Sequence, residues 1–218
     1  MPADVIVIGA GGHARVVIDA LQRSGVTVLG VCDPTLSSGS AGPLGVPCLG
    51  SDAALESYDR SAVLLVNGIG SIGDPALRIT VYQRMTAAGW KFYSLVHPKA
   101  VIGTECTIAS GAQIMAGAIL QPGTHVGENA IVNTAASIDH DCRIGDHAHI
   151  APGAVLCGNV VIGTGAHIGS GAVIVQGLTV GAHALIGAGV TVTRPVAEDA
   201  RLTLHTIAAE IPIREKTP

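Results

Sequence analysis

Ala130-Ile-Val132-Asn-Thr-Ala-Ala136-Ser-Ile138-Asp-His-Asp-Cys142-Arg-Ile144-Gly-Asp-His-Ala148-His-Ile150 carries the pattern that decides the fold. Every sixth residue is aliphatic, and the residue two places before it is small. The register extends without a slip through Ile102, Ile108, Ile114, Leu120 and Val126 on one side. On the other side it runs through Leu156, Ile162, Ile168, Ile174, Val180, Ile186 and Val192. Ala100, Cys106, Ala112, Ala118, Thr124, Ala154, Ala166 and Ala172 continue the small position. A period of six fits neither an α-helix nor an alternating strand. It is the signature of a hexapeptide β-helix, in which one short strand and one turn make a face and three faces close a triangular coil. The aliphatic residue fills the inside of the prism, and the small one fits the tight corner.

Composition agrees with such a core. The 218 residues are 48% hydrophobic but only 2% aromatic, so the interior must be built from Val, Ile, Leu and Ala. Most of the 29 glycines fall in the repeat, where each turn needs a permissive backbone. The net charge of -4 and the lack of a basic run argue against nucleic acid as the main partner. Five cysteines, Cys32, Cys48, Cys106, Cys142 and Cys157, form no CxxC pair, which suits a reducing compartment rather than a disulfide framework. Val5–Ile8 is far too short to span a bilayer, and no basic n-region precedes it. The expectation is a cytoplasmic protein with no membrane partner.

About 95 residues precede the repeat. Val5-Ile-Val-Ile8 reads as a strand that runs into Gly9-Ala-Gly11-Gly12-His13-Ala14. Arg15 to Ser24 follows with helical spacing, closed by Gly25, and Val26 to Cys32 reads as a second strand ending in Asp33-Pro34. Such a unit lets backbone approach a phosphate, while the helix start attracts negative charge. An acid at the end of the second strand, here Asp33, usually meets a ribose or base. GxGxxA is also a dinucleotide variant, so NAD stays open, although the segment is short for a six-stranded dinucleotide fold. His13 stands where it could reach a phosphate or a sugar. Pro43 to Gly50 reads as a connection, Ala53 to Tyr58 as a short helix, and Ala62 to Val66 as a third strand. That strand opens onto a second Gly-rich loop, Asn67 to Gly73. Pro75 to Ala88 reads as a helix with Leu77, Val81 and Met85 on one face. Phe92 to Val96 reads as the last strand, and His97-Pro98 hands the chain to the prism.

Chemistry in the repeat concentrates where polar residues interrupt it. Asp139-His140-Asp141 puts an imidazole between two carboxylates, and His147 and His149 follow, then Gly158-Asn159. A histidine base with a carboxylate to hold its tautomer is a standard arrangement. A solvated polar turn is the plain alternative. No HxxxxH pair occurs, so no zinc or other metal is expected. His125, His167 and His183 read as surface residues. Cys142 occupies the small slot of its hexapeptide, which favours packing over a Cys–His nucleophile pair.

These residues together resemble the hexapeptide-repeat sugar O-/N-acyltransferase family, of the bacillosamine (PglD-like), perosamine and sialic acid (NeuD-like) type. The resemblance covers both halves of the chain. It rests on Gly9-Ala-Gly-Gly-His13-Ala-Arg-Val-Val17, Asp33, Gly68 followed by Leu77-Arg78, His97-Pro98-Lys99-Ala100, and Asn133-Thr134 leading to Asp139-His140-Asp141-Cys142. It implies a small α/β Rossmann-like N-terminal domain over residues 1–96, holding a nucleotide-linked amino sugar. A left-handed parallel β-helix with a C-terminal tail over 97–218 would then bind acetyl-CoA. It also implies a homotrimer with active sites between subunits. In that picture His140 is the general base and Asp141 its carboxylate. His149 lies near the thioester, the Gly158 amide meets the oxyanion, and backbone at Ser170 and Ala188 lines the pantetheine channel. Gly11, Gly12, His13, Asp33, Pro34 and Gly68 make the nucleotide-sugar site. The family usually closes with Gly-x-Pro-Ala after the last coil, where this chain has Thr206-Ile207-Ala208-Ala209. The expected activity is acetyl transfer from acetyl-CoA to the sugar amine. The alternatives are O-acetylation of a sugar hydroxyl and a non-catalytic nucleotide-sugar-binding trimer.

Overall fold

The computed structural model describes residues 4–71 and 74–204. The Thr206–Ala209 segment lies outside the described residues, as do Ile72 and Gly73 of the second Gly-rich loop. Two bodies follow one another, a small α/β layer and a β-helical prism. Among the described residues no helix is long and apolar enough to cross a membrane.

The α/β layer is one parallel sheet of four strands in the order β3-β2-β1-β4, with β1 Asp4–Ile8, β2 Thr27–Cys32, β3 Cys48–Gly50 and β4 Val63–Asn67. Strand β1 is apolar at successive positions because it is covered on both faces. Val5 and Val7 pack with Val17, Ile18 and Leu21 of helix α1, Gly12–Arg23. Ile6 and Ile8 pack with Val81, Tyr82 and Met85 of helix α2, Ala76–Ala87. Leu77, expected on the buried face of α2, is 63% exposed, and Arg78 takes the inward place instead. The expected strand over 92–96 is divided. Phe92 makes a single bridge to Leu65 of β4, whereas Leu95–Val96 pairs with Gln113–Ile114 as the first rung of the prism. The connection after β2 contributes the edge strand β3, and the short helix after it is a 3-10 turn, Asp52–Ser57.

The prism is a left-handed parallel β-helix of two-residue strands stacked in three sheets of seven, six and five strands. In each pair the second residue points inward. Ile114, Leu120, Val132, Ile138, Ile150, Ile168 and Val192 are fully buried in one column with Ala112, Ala118, Ala136, Cys142 and Ala148. Each corner places one residue in the left-handed region, and glycine fills many of these positions. Between 129 and 147 four successive corners use Asn129, Ala135, Asp141 and His147 instead. Such residues carry strain, which proteins concentrate at functional sites.

The three faces have different surroundings. The outward residues of the seven-stranded sheet begin with Leu95, Gln113, Ile131 and His149, all buried, because the α/β layer sits on this face. The five-stranded sheet shows Thr107, His125, Arg143 and Thr179 to solvent. The six-stranded sheet shows Val101, Ile119, Ser137, Val155, Val173 and Thr191, a mostly apolar face that no other described residue covers.

Candidate active site

At the carboxyl ends of β1 and β4 lies a cavity of about 590 Å³, the place where open α/β sheets bind ligands. Gly11, Gly12, His13, Asp33 and Gly68 line it from the α/β side, and Asn133 and His149 from the prism. Pro34 lines an adjoining cavity of about 340 Å³ that shares Gly9, Asp33 and Ile69 with the first. The two form one crevice running from the end of β2 to the prism.

Two of the glycines are needed by the protein itself. Gly9 has φ 95°, and a side chain at Gly68 would come within 2.7 Å of Val7 Cγ1. Gly11 and Gly12 are different. A Cβ at either would meet no protein atom within 4 Å. Helix α1 starts there, at Gly12, earlier than its apolar spacing suggests, and Gly11 caps it with no side-chain hydrogen bond. The first amides of α1 therefore open onto a clear cavity floor, an arrangement suited to an anion.

Asp33 accepts hydrogen bonds from the Ala10 amide (2.9 Å), the Thr35 amide (2.9 Å) and the Thr35 hydroxyl (2.6 Å). The Thr35 bonds first, and the Ala10 bond in addition, hold its carboxyl below the usual range, so it is ionised at neutral pH. His13 Nε2 donates to Gln113 Oε1 (2.8 Å), and Gln113 Nε2 donates to the Asn67 carbonyl (2.7 Å). Burial pushes His13 down to about 4, so it is a neutral imidazole. His149 Nδ1 donates to the Ser71 carbonyl (3.0 Å), which leaves Nε2 to accept from Asn133 Nδ2 (3.1 Å). Burial lowers its pKa to about 3. Asn133 in turn accepts from the Thr134 amide (2.7 Å), which settles which end of its carboxamide faces His149.

His140 stands elsewhere. The strands on either side of it belong to the six-stranded and five-stranded sheets, so its corner is the prism edge opposite the face that carries the α/β layer. Its Nδ1 donates to Asp141 Oδ2 (2.9 Å), and that bond is the main cause raising its pKa above the ordinary value. Asp139 takes the backbone amide of His140 instead of the ring. Nε2 has no hydrogen-bond partner among the described residues and lies over Gly158 one coil on, where a Cβ would come within 2.5 Å of it. His140, Asp141 and Gly158 thus form one constellation: an imidazole, the carboxylate that holds its tautomer and a backbone position that only glycine leaves open. Ser170 and Ala188 lie on another corner, stacked above Thr134 and Pro152 through the bonds Gly153 N to Thr134 O, Gly171 N to Pro152 O and Gly189 N to Ser170 O.

The structure corrects one histidine and enlarges the polar set. His167 is not a surface residue. It packs edge-on against His149 at 4.9 Å between centroids, and its Nδ1 is buried. Cys142 points into the prism and donates to the Cys157 carbonyl (3.2 Å), so it is a packing residue. Gln113 and Asn129 escaped the sequence reading because single polar residues in a repeat look like exposed ones, and Asn67 was read only as the start of the second Gly-rich loop; here all three are buried between the two bodies. Among the described residues no group of three or more His, Cys, Asp or Glu side chains could hold a metal ion.

Comparison with known proteins finds matches over both bodies. Residues 4–85 match the family model of the PglD N-terminal domain, and residues 123–158 and 141–176 match the bacterial transferase hexapeptide repeat. The acetyltransferase domain of PglB from Neisseria gonorrhoeae FA1090 is 32% identical over 93% of this chain and 97% of its own, with a TM-score of 0.85. PerB from Caulobacter crescentus, in complex with CoA and GDP-perosamine, is 34% identical over 92% of this chain and 94% of its own, with a TM-score of 0.84. WeeI from Acinetobacter baumannii AYE is 26% identical over 91% of this chain and 95% of its own, with a TM-score of 0.81.

Proposed function

The chain belongs to the hexapeptide-repeat sugar acyltransferases, and from that premise we propose that it moves an acetyl group from acetyl-CoA to the amine of a nucleotide-linked amino sugar. The observation that carries this reading is the crevice, whose floor Gly11 and Gly12 leave clear at a bare helix start and whose far wall is the prism. A diphosphate fits the helix start, the nucleoside fits the end towards Asp33 and Pro34, and the sugar then points towards Asn133 and His149. PerB was crystallised with CoA and a nucleotide sugar together, which supports the same pairing of ligands here.

The base and the crevice of one chain lie on opposite sides of the prism, so a second copy must bring them together. The bare apolar face of the six-stranded sheet supplies the contact surface for a homotrimer, with acetyl-CoA held between neighbouring prisms. In that assembly the crevice of one subunit receives the His140 edge of the next. The channel for the pantetheine arm runs by the column of Ser170 and Ala188. His149, buried under Ser71 in its own chain, serves the sugar end of the crevice close to where the thioester arrives.

In the transfer step the neutral amine attacks the thioester carbonyl and its proton goes to His140 Nε2. Asp141 stabilises the imidazolium that forms. The developing oxyanion meets the backbone N–H at Gly158, a type of contact worth roughly 3–4 kcal/mol in favourable cases. The carbon–sulfur bond breaks, coenzyme A leaves as the thiolate, and His140 returns a proton to it. The acetylated amine is the product. Steady-state assays with acetyl-CoA and UDP-, GDP- and dTDP-linked amino sugars, read by free thiol, should give turnover with one of them. His140→Ala should lower kcat by about 10²–10⁴-fold while acetyl-CoA still binds, because general base catalysis is worth that much. Full turnover in that variant would overturn the assignment.

A further inference from the structure

Arg78 lies wholly inside the protein, 1% exposed, on α2 behind the loop that walls the cavity. Its guanidinium donates to the carbonyl oxygens of Asn67 (3.0 Å), Ile69 (2.6 Å) and Asn129 (3.1 and 3.2 Å). All three partners are neutral. Among the described residues no carboxylate is bonded to it. The nearby acids are turned elsewhere, Glu128 to the Tyr82 hydroxyl (3.1 Å) and Asp146 to the Glu128 amide (2.8 Å). A buried cation without a counter-ion is expensive, and such groups are retained where they serve a site. Burial lowers its pKa to about 9, so it stays charged at neutral pH.

The charge faces the cavity through the loop. The Ile69 carbonyl is turned to Arg78, and in a trans peptide the next N–H points the other way, so Gly70 presents its donor away from Arg78. Burial first, and Arg78 next, keep His13 neutral; at His149 burial leads, followed by His167 and His13, with Arg78 a smaller contribution of the same sign. Asp33 carries the opposite charge, but its oxygens are held by Ala10 and Thr35 at the end of β2. Since β1 lies between β2 and β4, that is two strand spacings, on the order of 10 Å, from Gly68.

We propose that Arg78 is an electrostatic positioning residue for the acceptor, whose buried charge makes the prism end of the cavity bind the sugar amine in its uncharged, nucleophilic form. The inference rests on the acetyl-transfer reading above. An amine that titrates near about 8 is mostly ammonium at neutral pH and cannot attack a carbonyl in that form. A fixed positive charge in a dry wall favours the neutral form, and the proton leaves for solvent as the sugar binds. His13 from α1, His149, His147 and His167 from the prism, and Tyr82 from α2 are the other titratable groups around this wall, with Glu128 and Asp146 behind it and His140, Asp139 and Asp141 brought up by the neighbouring subunit in the assembly proposed above.

Isothermal titration in two buffers of different ionisation enthalpy at pH 7, without acetyl-CoA, counts the protons released. The probes are the nucleotide-linked amino sugar that gives turnover and the same nucleotide sugar with a hydroxyl in place of the amine. Wild-type protein should release about 0.5–1 proton more with the amine than with the hydroxyl. Arg78→Gln should cut that excess several-fold, and Arg78→Lys, which keeps the charge, should retain most of it. A merely structural role would weaken both ligands alike and leave the excess unchanged, which overturns the proposal. So does wild-type protein that binds the amine with no excess release, a result that needs no variant to fold. If neither ligand binds, the acetyl-transfer reading itself fails and takes this inference with it.

Discussion

His140 owes its chemistry to the conformation of the residue after it. On a regular strand the side chains of neighbours point apart. Asp141 has φ 58°, and that left-handed turn brings its carboxylate onto the ring of His140. The bond fixes the proton on Nδ1 and leaves Nε2 free to accept one, as the proposed base must. It also raises the pKa of His140, so the neutral, active form is lost as pH falls through a value above the ordinary 6.5. Asp141→Asn removes the cause. Its pH profile of kcat/KM should show an acid limb moved to lower pH, towards 6.5, together with a lower kcat. A limb that stays in place would mean that another group controls it. The adjacency of His140 and Asp141 was legible in the sequence, but which flanking carboxylate takes the ring was not. Asp139 and Asp141 are equivalent by spacing, and only the corner geometry distinguishes them.

Coils and helices were legible to different degrees. The hexapeptide spacing located the inward aliphatic residues from Ile102 to Val192, though not Val96 and Leu202 at the two ends, because a β-helix repeats one local geometry, so position in the period is position in space. Depth along the axis is not local. Ile102 and Ile150 occupy the same slot of the hexapeptide, yet Ile150 is fully buried in the stack and Ile102, on the first coil, is 37% exposed. Ile150→Ala should therefore cost about 2–5 kcal/mol. Ile102→Ala should cost well under half as much, with both read as shifts of the urea midpoint at one fixed protein concentration. Equal shifts would mean that the first coil is covered by something outside the chain. Helix α2 shows the opposite case. Its apolar spacing favoured Leu77 for the core, but the helix is turned to bring Arg78 under the carbonyls of Asn67, Ile69 and Asn129. Periodicity could not anticipate that, because those acceptors come from a loop and from the prism.

At the scale of the whole molecule the described residues leave the prism with one covered face, one mostly polar face and one mostly apolar face left bare. Large uncovered apolar faces mark association sites. Val155 sits in the middle of that face, 37% exposed, with its side chain directed away from the prism core. Val155→Lys should abolish assembly in sedimentation and abolish turnover with it, while far-UV circular dichroism keeps the β-helix signal. A lysine buried in an apolar contact has no partner for its charge. Undiminished activity in a monomeric variant would show that base and crevice need not come from two chains.

The sequence by itself determined the β-helix, the Gly-loop layer ahead of it and the adjacency of His140 to its two flanking carboxylates. These rest on local period and local adjacency, and local geometry follows from local sequence. Tertiary structure alone decided that the layer sits on the seven-stranded face and that His140 stands on the opposite edge. It also decided that Arg78, Gln113, Asn67, Asn129 and His149 form a buried polar seam between the two bodies. Those contacts join residues far apart in the chain, and their partners are chosen by the docking of whole surfaces, which no repeat or motif records.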